Sequence, residues 1–284
     1  MRQVALLGVK GGPAIGPGSN MPSATLVRMD GQTILVDAGL GVTRGLCDQG
    51  IHLTELDVIV ITHLHSDHYL ELGPLLHTAW LAGLKTPVPV IGPPGLAAYW
   101  AHFLAAMAFD VELRIEDEGR GPLAPLAEIR EISQGIIWCR GGVSLSALKN
   151  VHPPIDQSFA LSVIAGDRKV TLSGDTCFFE GMITFAQGAD LLVHEALLEV
   201  GVDALCQTLG VPDNRLKRHL MRSHTTAQDA GRIATRAKVR HLALNHFVPG
   251  ADASLTSRVW EDAVRETWSG PLTLGRDGLV IDIP

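Results

Sequence analysis

The sequence predicts an α/β protein folded as one domain, and three observations carry that expectation. Short β-type runs joined by turn dipeptides recur along the whole chain. Segments with the apolar spacing of helices are interspersed among them rather than gathered at one end. No Ser/Pro-rich linker, low-complexity block or internal repeat divides the 284 residues.

In chain order, 25–29 (TLVRM) and 32–39 (QTILVDAG) flank Asp30-Gly31, a dipeptide suited to a tight hairpin turn. Residues 57–61 read as a buried strand, followed by a short loop and a helix over 66–72 with Ser66 as its cap. Pro74, in a first-turn position, opens a helix over 74–83. An apolar helix follows at 95–108 (GLAAYWAHFLAAMA). The runs 159–165 and 169–175 flank Gly166-Asp167 as a second hairpin. Helices over 226–237 and 255–268 precede a third hairpin, 271–276 and 279–283 about Asp277-Gly278. Two segments read as excursions into the substrate region or an interface: 92–125, bounded by Pro and Gly, and 199–222, with the basic run RLKRH.

Apolar residues at 46%, charged residues at 19% and aromatics at 5% describe a soluble globular protein with an aliphatic core. Lys and Arg total 23 against 30 Asp and Glu, a formal charge of −7 that opposes loose attraction to nucleic acid or anionic membrane. Cys47, Cys139, Cys177 and Cys206 form no CxxC pair, which favours a reducing compartment. No apolar run reaches the roughly 18 residues of a membrane span, and the first residues lack a leader-like stretch. A cytoplasmic protein is expected.

The stretch ITHLHSDHYLEL crowds His63, His65, Asp67 and His68 into six positions just after a strand. In locally extended chain, residues two apart project to one side, so His63 and His65 can grip one ion. Asp67 and His68, at the helix start, can face a neighbouring one. Three further candidates lie in distant loops beside strand-like runs: His152 in KNVHPPIDQ, Asp175 in VTLSGDTCF and His246 in VRHLALNHFVPG.

With HxHxDH and these three in order, the chain resembles a metallo-β-lactamase-fold hydrolase. That resemblance implies a four-layer αββα sandwich with a dinuclear site at one edge of its two sheets. One metal would be held by His63, His65, His152 and Asp175, the other by Asp67, His68, Asp175 and His246, with Asp175 bridging. The donors suit Zn²⁺ and leave Mn²⁺ or Fe open. Two such ions would activate a water toward hydroxide, with Asp67 orienting it and accepting its proton.

DLLVHEALL and RSHTTAQDAGRIATRA resemble the HEAT and HST motifs of the tRNA 3′-processing endonucleases (RNase Z) and their arylsulfatase-like relatives. The resemblance implies a hydrogen-bonded pair, Glu195 and His224, that assists proton transfer near the leaving group. Burial or a structural hydrogen bond is as good a reading of His194 as catalysis. His52, His77, His102, His219 and His241 match no site motif and are read as structural or surface residues. The glycine-rich loop VKGGPAIGPGSNMPSATLV resembles the family's first loop.

A positive dinuclear centre favours phosphodiesters, sulfate esters, carboxylic esters or lactones. RNase Z members that hold tRNA carry a basic exosite arm, whereas 92–125 here is apolar and then acidic. Leu197 replaces the Thr of HEAT, and NHFVPGAD replaces the usual element after the last ligand. The expectation is therefore a hydrolase of a small ester, anionic or with an apolar portion, with no nucleic-acid or membrane partner. RNase Z activity and a non-catalytic metal-binding scaffold are the alternatives. Residues 95–108, with Tyr99, Trp100 and Phe103, can form a wall over the site, a dimer interface or simple core packing; a homodimer is expected.

Overall fold

Fourteen strands and ten α-helices alternate along residues 1–210, 213–250 and 254–284, the parts that the computed structural model describes. The strands are β1 (Arg2–Gly8), β2 (Ala24–Met29), β3 (Gln32–Val36), β4 (Val58–Val60), β5 (Val88–Gly92), β6 (Ala127–Glu131), β7 (Gly135–Arg140), β8 (Val143–Lys149), β9 (Phe159–Ala165), β10 (Arg168–Leu172), β11 (Leu191–Leu197), β12 (Leu242–Val248), β13 (Leu272–Leu274) and β14 (Leu279–Asp282). The helices are α1 (Val42–Asp48), α2 (Ser66–Tyr69), α3 (Leu72–Leu81), α4 (Leu96–Ala106), α5 (Ala108–Glu118), α6 (Glu180–Phe185), α7 (Val202–Thr208), α8 (Arg215–Ser223), α9 (Ala227–Ala237) and α10 (Ser257–Arg265). No helix among the described residues is long and apolar enough to cross a membrane.

One sheet runs β14-β1-β2-β3-β4-β5-β6 and the other β13-β12-β11-β10-β9-β8-β7. Each is antiparallel on one side and parallel on the other, with β3 to β6 parallel in the first and β10 to β13 in the second. The two-residue period of a strand separates the layers. Val4 and Leu6 join Leu145, Leu161, Val193 and Leu244 between the sheets. Ala5 and Leu7 point the other way and pack with Leu46, Leu75 and Trp100 from α1, α3 and α4. Ala230, Ile233 and Ala234 of α9 cover the outer face of the second sheet, completing the αββα sandwich.

The first two predicted hairpins form: β2 pairs antiparallel with β3 and β9 with β10. Asp30 and Gly31 both take positive φ, 46° and 84°. The third does not form, because β13 joins β12 while β14 joins β1. The Asp277-Gly278 turn instead serves the first loop: Asp277 accepts hydrogen bonds from the Val9 and Met21 N–H groups, and the Gly278 N–H donates to Leu6 O. The chain thus crosses between sheets where the local pattern favours a hairpin. At α2 the cap position is His65 rather than Ser66, which is already helical.

Residues 95–108 form α4 and then a break at Met107, after which α5 follows. Leu96 and Trp100 enter the core under β5 and β6, so core packing describes this helix's inner face. Its continuation leaves Phe109 and Leu113 exposed.

Candidate active site

The parallel strands of both sheets end at one edge, the position where α/β sheets generally bind ligands. His63 and His65 follow β4, Asp175 follows β10, Glu195 lies near the end of β11 and His246 near the end of β12. At His246 the pairing shifts: Glu195 faces Asn245 while the next residue, Ala196, faces Phe247. His246 is the extra residue of this bulge and has φ 45°, so its side chain is turned out of the ladder toward the site. Gly11 allows the first loop to close on it, because a Cβ there would lie 3.0 Å from His246 Cε1 and 2.9 Å from Phe247 O.

Two donor groups result, His63, His65, His152 and Asp175, and beside them Asp67, His68 and His246. His65 Nδ1 lies 3.1 Å from both His63 Nε2 and His152 Nε2, while Asp175 Oδ2 is 3.7 Å and 3.9 Å from those two nitrogens. Asp175 Oδ2 also lies 3.3 Å from His68 Nε2 and 3.1 Å from His246 Nε2. Asp67 Oδ2 is 3.7 Å and 3.4 Å from the same pair. A tetrahedral ion with bonds of about 2.0–2.1 Å has donor edges of about 3.3 Å, so both sets have the spacing of a coordination shell.

The hydrogen bonds behind the donors decide where the lone pairs point. The Nδ1–H of His152 donates to Ser223 O at 2.8 Å, and that of His68 to Asp37 Oδ2 at 2.7 Å. Thr62 donates its hydroxyl proton to Asp37, so the Nδ1–H of His63 donates to Thr62 Oγ1 at 3.1 Å. Each Nε2 is left as a bare lone pair facing the others, and His68 Nε2 is buried with no hydrogen-bond partner among the described residues. Lone pairs at this distance repel unless a cation lies between them, so the residues fit two divalent ions.

The electrostatics agree. Burial pushes the His63 and His65 pKa values down and that of His152 to about 4, keeping them neutral donors. Burial also opposes charge on His68, yet Asp175, Asp37 and Asp67 outweigh it and raise its pKa well above the usual value. Those carboxylates therefore call for positive charge at this point. Asp67 and Asp175 are held well below the usual carboxylate range: burial opposes their charge, and His68 and His246 overcome it.

Glu195 and His224 meet beside this centre, with the Nδ1–H of His224 donating to Glu195 Oε2 at 2.8 Å. The Thr176 N–H donates to the other oxygen, Oε1. Burial opposes protonation of His224, but Glu195 overrides it and raises its pKa to about 9. The pair is an imidazolium held by a carboxylate. His194, fully buried, turns its Nδ1–H to Glu195 O at 2.8 Å and does not reach the donor groups.

A cavity of about 340 Å³ opens over the centre. Its walls come from Lys10 to Ala14 on one side and from Leu205, Leu216, His219 and Leu220 of α7 and α8 on the other. No residue of 92–125 lines it, whereas several of 199–222 do. Sequence reasoning missed four contributors: Asp37, Ser223, Gly12 and His219. The Gly12 N–H donates to Asp67 Oδ2 at 2.8 Å. Asp37 carried a legible signal, an acid directly after a strand in ILVDAG, as Asp175 is in VTLSGD. Ser223 acts through its carbonyl, and His219 belongs to no motif, so neither carried one.

Fold and site together define a metal-dependent hydrolase of the metallo-β-lactamase fold. The family model for the Anti-Pycsar protein Apyc1 matches residues 3–243. A Ribonuclease Z of Mycolicibacterium paratuberculosis is 34% identical over 280 residues, covering 98% of this chain and 96% of that protein. The short form of human tRNase Z superposes with a TM-score of 0.71 at 23% identity, covering 99% of each chain. The metallo-β-lactamase-fold protein YhfI of Bacillus subtilis does so at 0.72 and 19%, also covering 99% of each. The chain belongs to the metallo-β-lactamase-fold hydrolases, in the group that the Apyc1 model and these ribonucleases Z represent.

These relatives overturn the expectation that nucleic acid is no partner, since a ribonuclease acts on RNA. The physical reason lies in which segment was weighed. The apolar and acidic 92–125 packs outside the cavity. The helix that faces it is α8, where Arg218 and Arg222 are exposed and make no ion pair among the described residues. Net charge is a poor guide here, because a phosphate meets the local cations and the centre, not the sum over the chain.

Proposed function

We propose that the chain is a dinuclear phosphodiesterase that cleaves RNA, in the manner of a tRNA 3′-processing endonuclease. The observation that carries this reading is the pairing of two donor groups on a shared Asp175 with an adjacent Glu195–His224 imidazolium. Likeness to proteins named Ribonuclease Z supports RNA as the substrate. Zn²⁺ is the proposed metal, since the donors are imidazoles and carboxylates without a thiolate. Four free cysteines support a cytoplasmic location.

When bound, two such ions supply Lewis acidity and a water activated toward hydroxide. The chain's residues do the rest. Gly12 fixes one oxygen of Asp67, so the carboxylate keeps one orientation, and His68 and His246 keep it ionised against burial. His63, His65, His152, His68 and His246 present ring nitrogens, and those of His63, His68 and His152 have their directions set from behind by Thr62, Asp37 and Ser223. His224 carries the proton that a leaving oxygen needs, and Glu195, itself fixed by the Thr176 N–H, holds its ring in place. The leucines of α7 and α8 exclude water from one side of the cavity.

The test is cleavage of a precursor tRNA by the zinc-loaded protein, with a single 3′-end cut expected. A second reading, a phosphodiester no larger than one nucleotide, is favoured by the enclosure of the cavity under α7 and α8. Turnover of bis(p-nitrophenyl) phosphate and other small diesters without any cut in precursor tRNA would select it.

A further inference from the structure

His219 is the histidine of the cavity lining that neither the donor groups nor the proton-transfer pair employs. It sits on α8, one turn before Ser223, with its ring centre 6.0 Å from that of His65 and 6.3 Å from those of His152 and His224. It therefore overhangs the place where both the ions and the proton donor address a substrate.

Its tautomer follows from its neighbour. The Ser223 hydroxyl donates its proton to Pro153 O. Its oxygen can then only accept, and His219 Nδ1 lies 3.4 Å from it. With Nδ1 as the donor, the neutral ring keeps a lone pair on Nε2. The two carboxylates of the cavity, Asp67 and Asp175, belong to the donor groups, and the other groups around it offer the opposite polarity or none. Lys10 is a cation whose Nζ already donates to Gly11 O and Gly12 O, His224 is a donor, and Leu205, Leu216 and Leu220 are apolar. His219 thus supplies a neutral acceptor beside the reaction centre, and an acceptor selects a hydroxyl.

We propose that His219 is a specificity-determining residue, whose Nε2 accepts a hydrogen bond from a hydroxyl next to the scissile phosphate, the ribose 2′-hydroxyl of an RNA. The inference rests on the RNA-cleaving reading and deepens it, since it says how the site distinguishes ribose from deoxyribose. A site built to accept one hydroxyl proton discriminates against a substrate that lacks it, because its half-buried acceptor is then left without that partner.

The experiment uses the zinc-loaded full chain and two precursor tRNAs, one all-ribose and one with a single 2′-deoxyribose at the nucleotide whose phosphate is cut. Wild type is expected to cleave the all-ribose substrate about tenfold faster by kcat/KM. His219→Phe keeps a ring but no acceptor, and brings the ratio to about one. His219→Gln, whose Oε1 can take the place of Nε2, keeps most of the preference. Metal content, measured in each variant, shows that the centre is intact. A ratio unchanged in His219→Phe, or a wild type indifferent to the missing hydroxyl, overturns the proposal while leaving the RNA-cleaving reading standing. Failure of the wild type to cut either tRNA removes that reading, and the proposal with it.

Discussion

Replacing His224 with Gln should flatten the pH dependence of stability of the metal-free protein between about pH 6.5 and 9. Glu195 raises the folded-state pKa of His224 from 6.5 to about 9 against the cost of burial. A group whose folded pKa lies above its unfolded value stabilises the fold fully below the unfolded value and ceases to do so above the folded one. At about 1.4 kcal/mol per pH unit, that interval corresponds to roughly 3 kcal/mol of stability. The assay is urea unfolding of chelator-treated protein at pH 6 and pH 9.5, extrapolated to water. Wild type should lose about 3 kcal/mol more than His224→Gln across the window. His68, whose pKa is also raised, titrates in both proteins and cancels in the comparison. Equal losses in the two would refute the buried imidazolium–carboxylate pair.

Further expectations concern the centre and its frame. Asp67→Ala should lower turnover at least about a hundredfold through loss of an oriented base; full activity with an unchanged metal count would sink the role given to it. Exhaustive chelation should abolish cleavage and lower Tm, because three imidazole lone pairs then converge without a cation; activity that survives metal analysis at zero content contradicts this. Gly39→Ala places a Cβ 2.4 Å from Asp67 O and 2.8 Å from Ser23 O, both backbone atoms. A cost of about 1–3 kcal/mol is expected, read as a lower urea midpoint. Thr226→Ala removes the side chain that accepts the Asp229 N–H at 3.1 Å and caps α9. It should cost about 1 kcal/mol, and an unchanged midpoint would show that the cap contributes nothing.

Legibility in the sequence followed the range of the interactions. The first two hairpins were readable because Asp30-Gly31 and Gly166-Asp167 join runs that pair with each other. Asp277-Gly278 has the same local form, yet its polar groups bond to Val9, Met21 and Leu6, more than 250 residues away. The seven donor candidates were readable because imidazoles and carboxylates just past strands have few other uses in such numbers. Gly12 reaches Asp67 and Ser223 reaches His152 through backbone atoms, which every residue has, so no side-chain pattern could mark those contacts.

By itself, the sequence determined the kind of chemistry: donors for two ions, a carboxylate–imidazole pair, and alternating strands able to carry them to one edge. Only the tertiary structure decided what faces that edge. It placed α8, with Leu216, His219 and Leu220, over the centre, and set the acidic 92–125 aside on the outer layer. The physical reason is that metal coordination is written in side-chain type and short spacing, which a linear pattern preserves. Specificity depends on which distant segment closes the cavity and which nitrogen of a ring its neighbour leaves free, and both are settled only when the chain has packed.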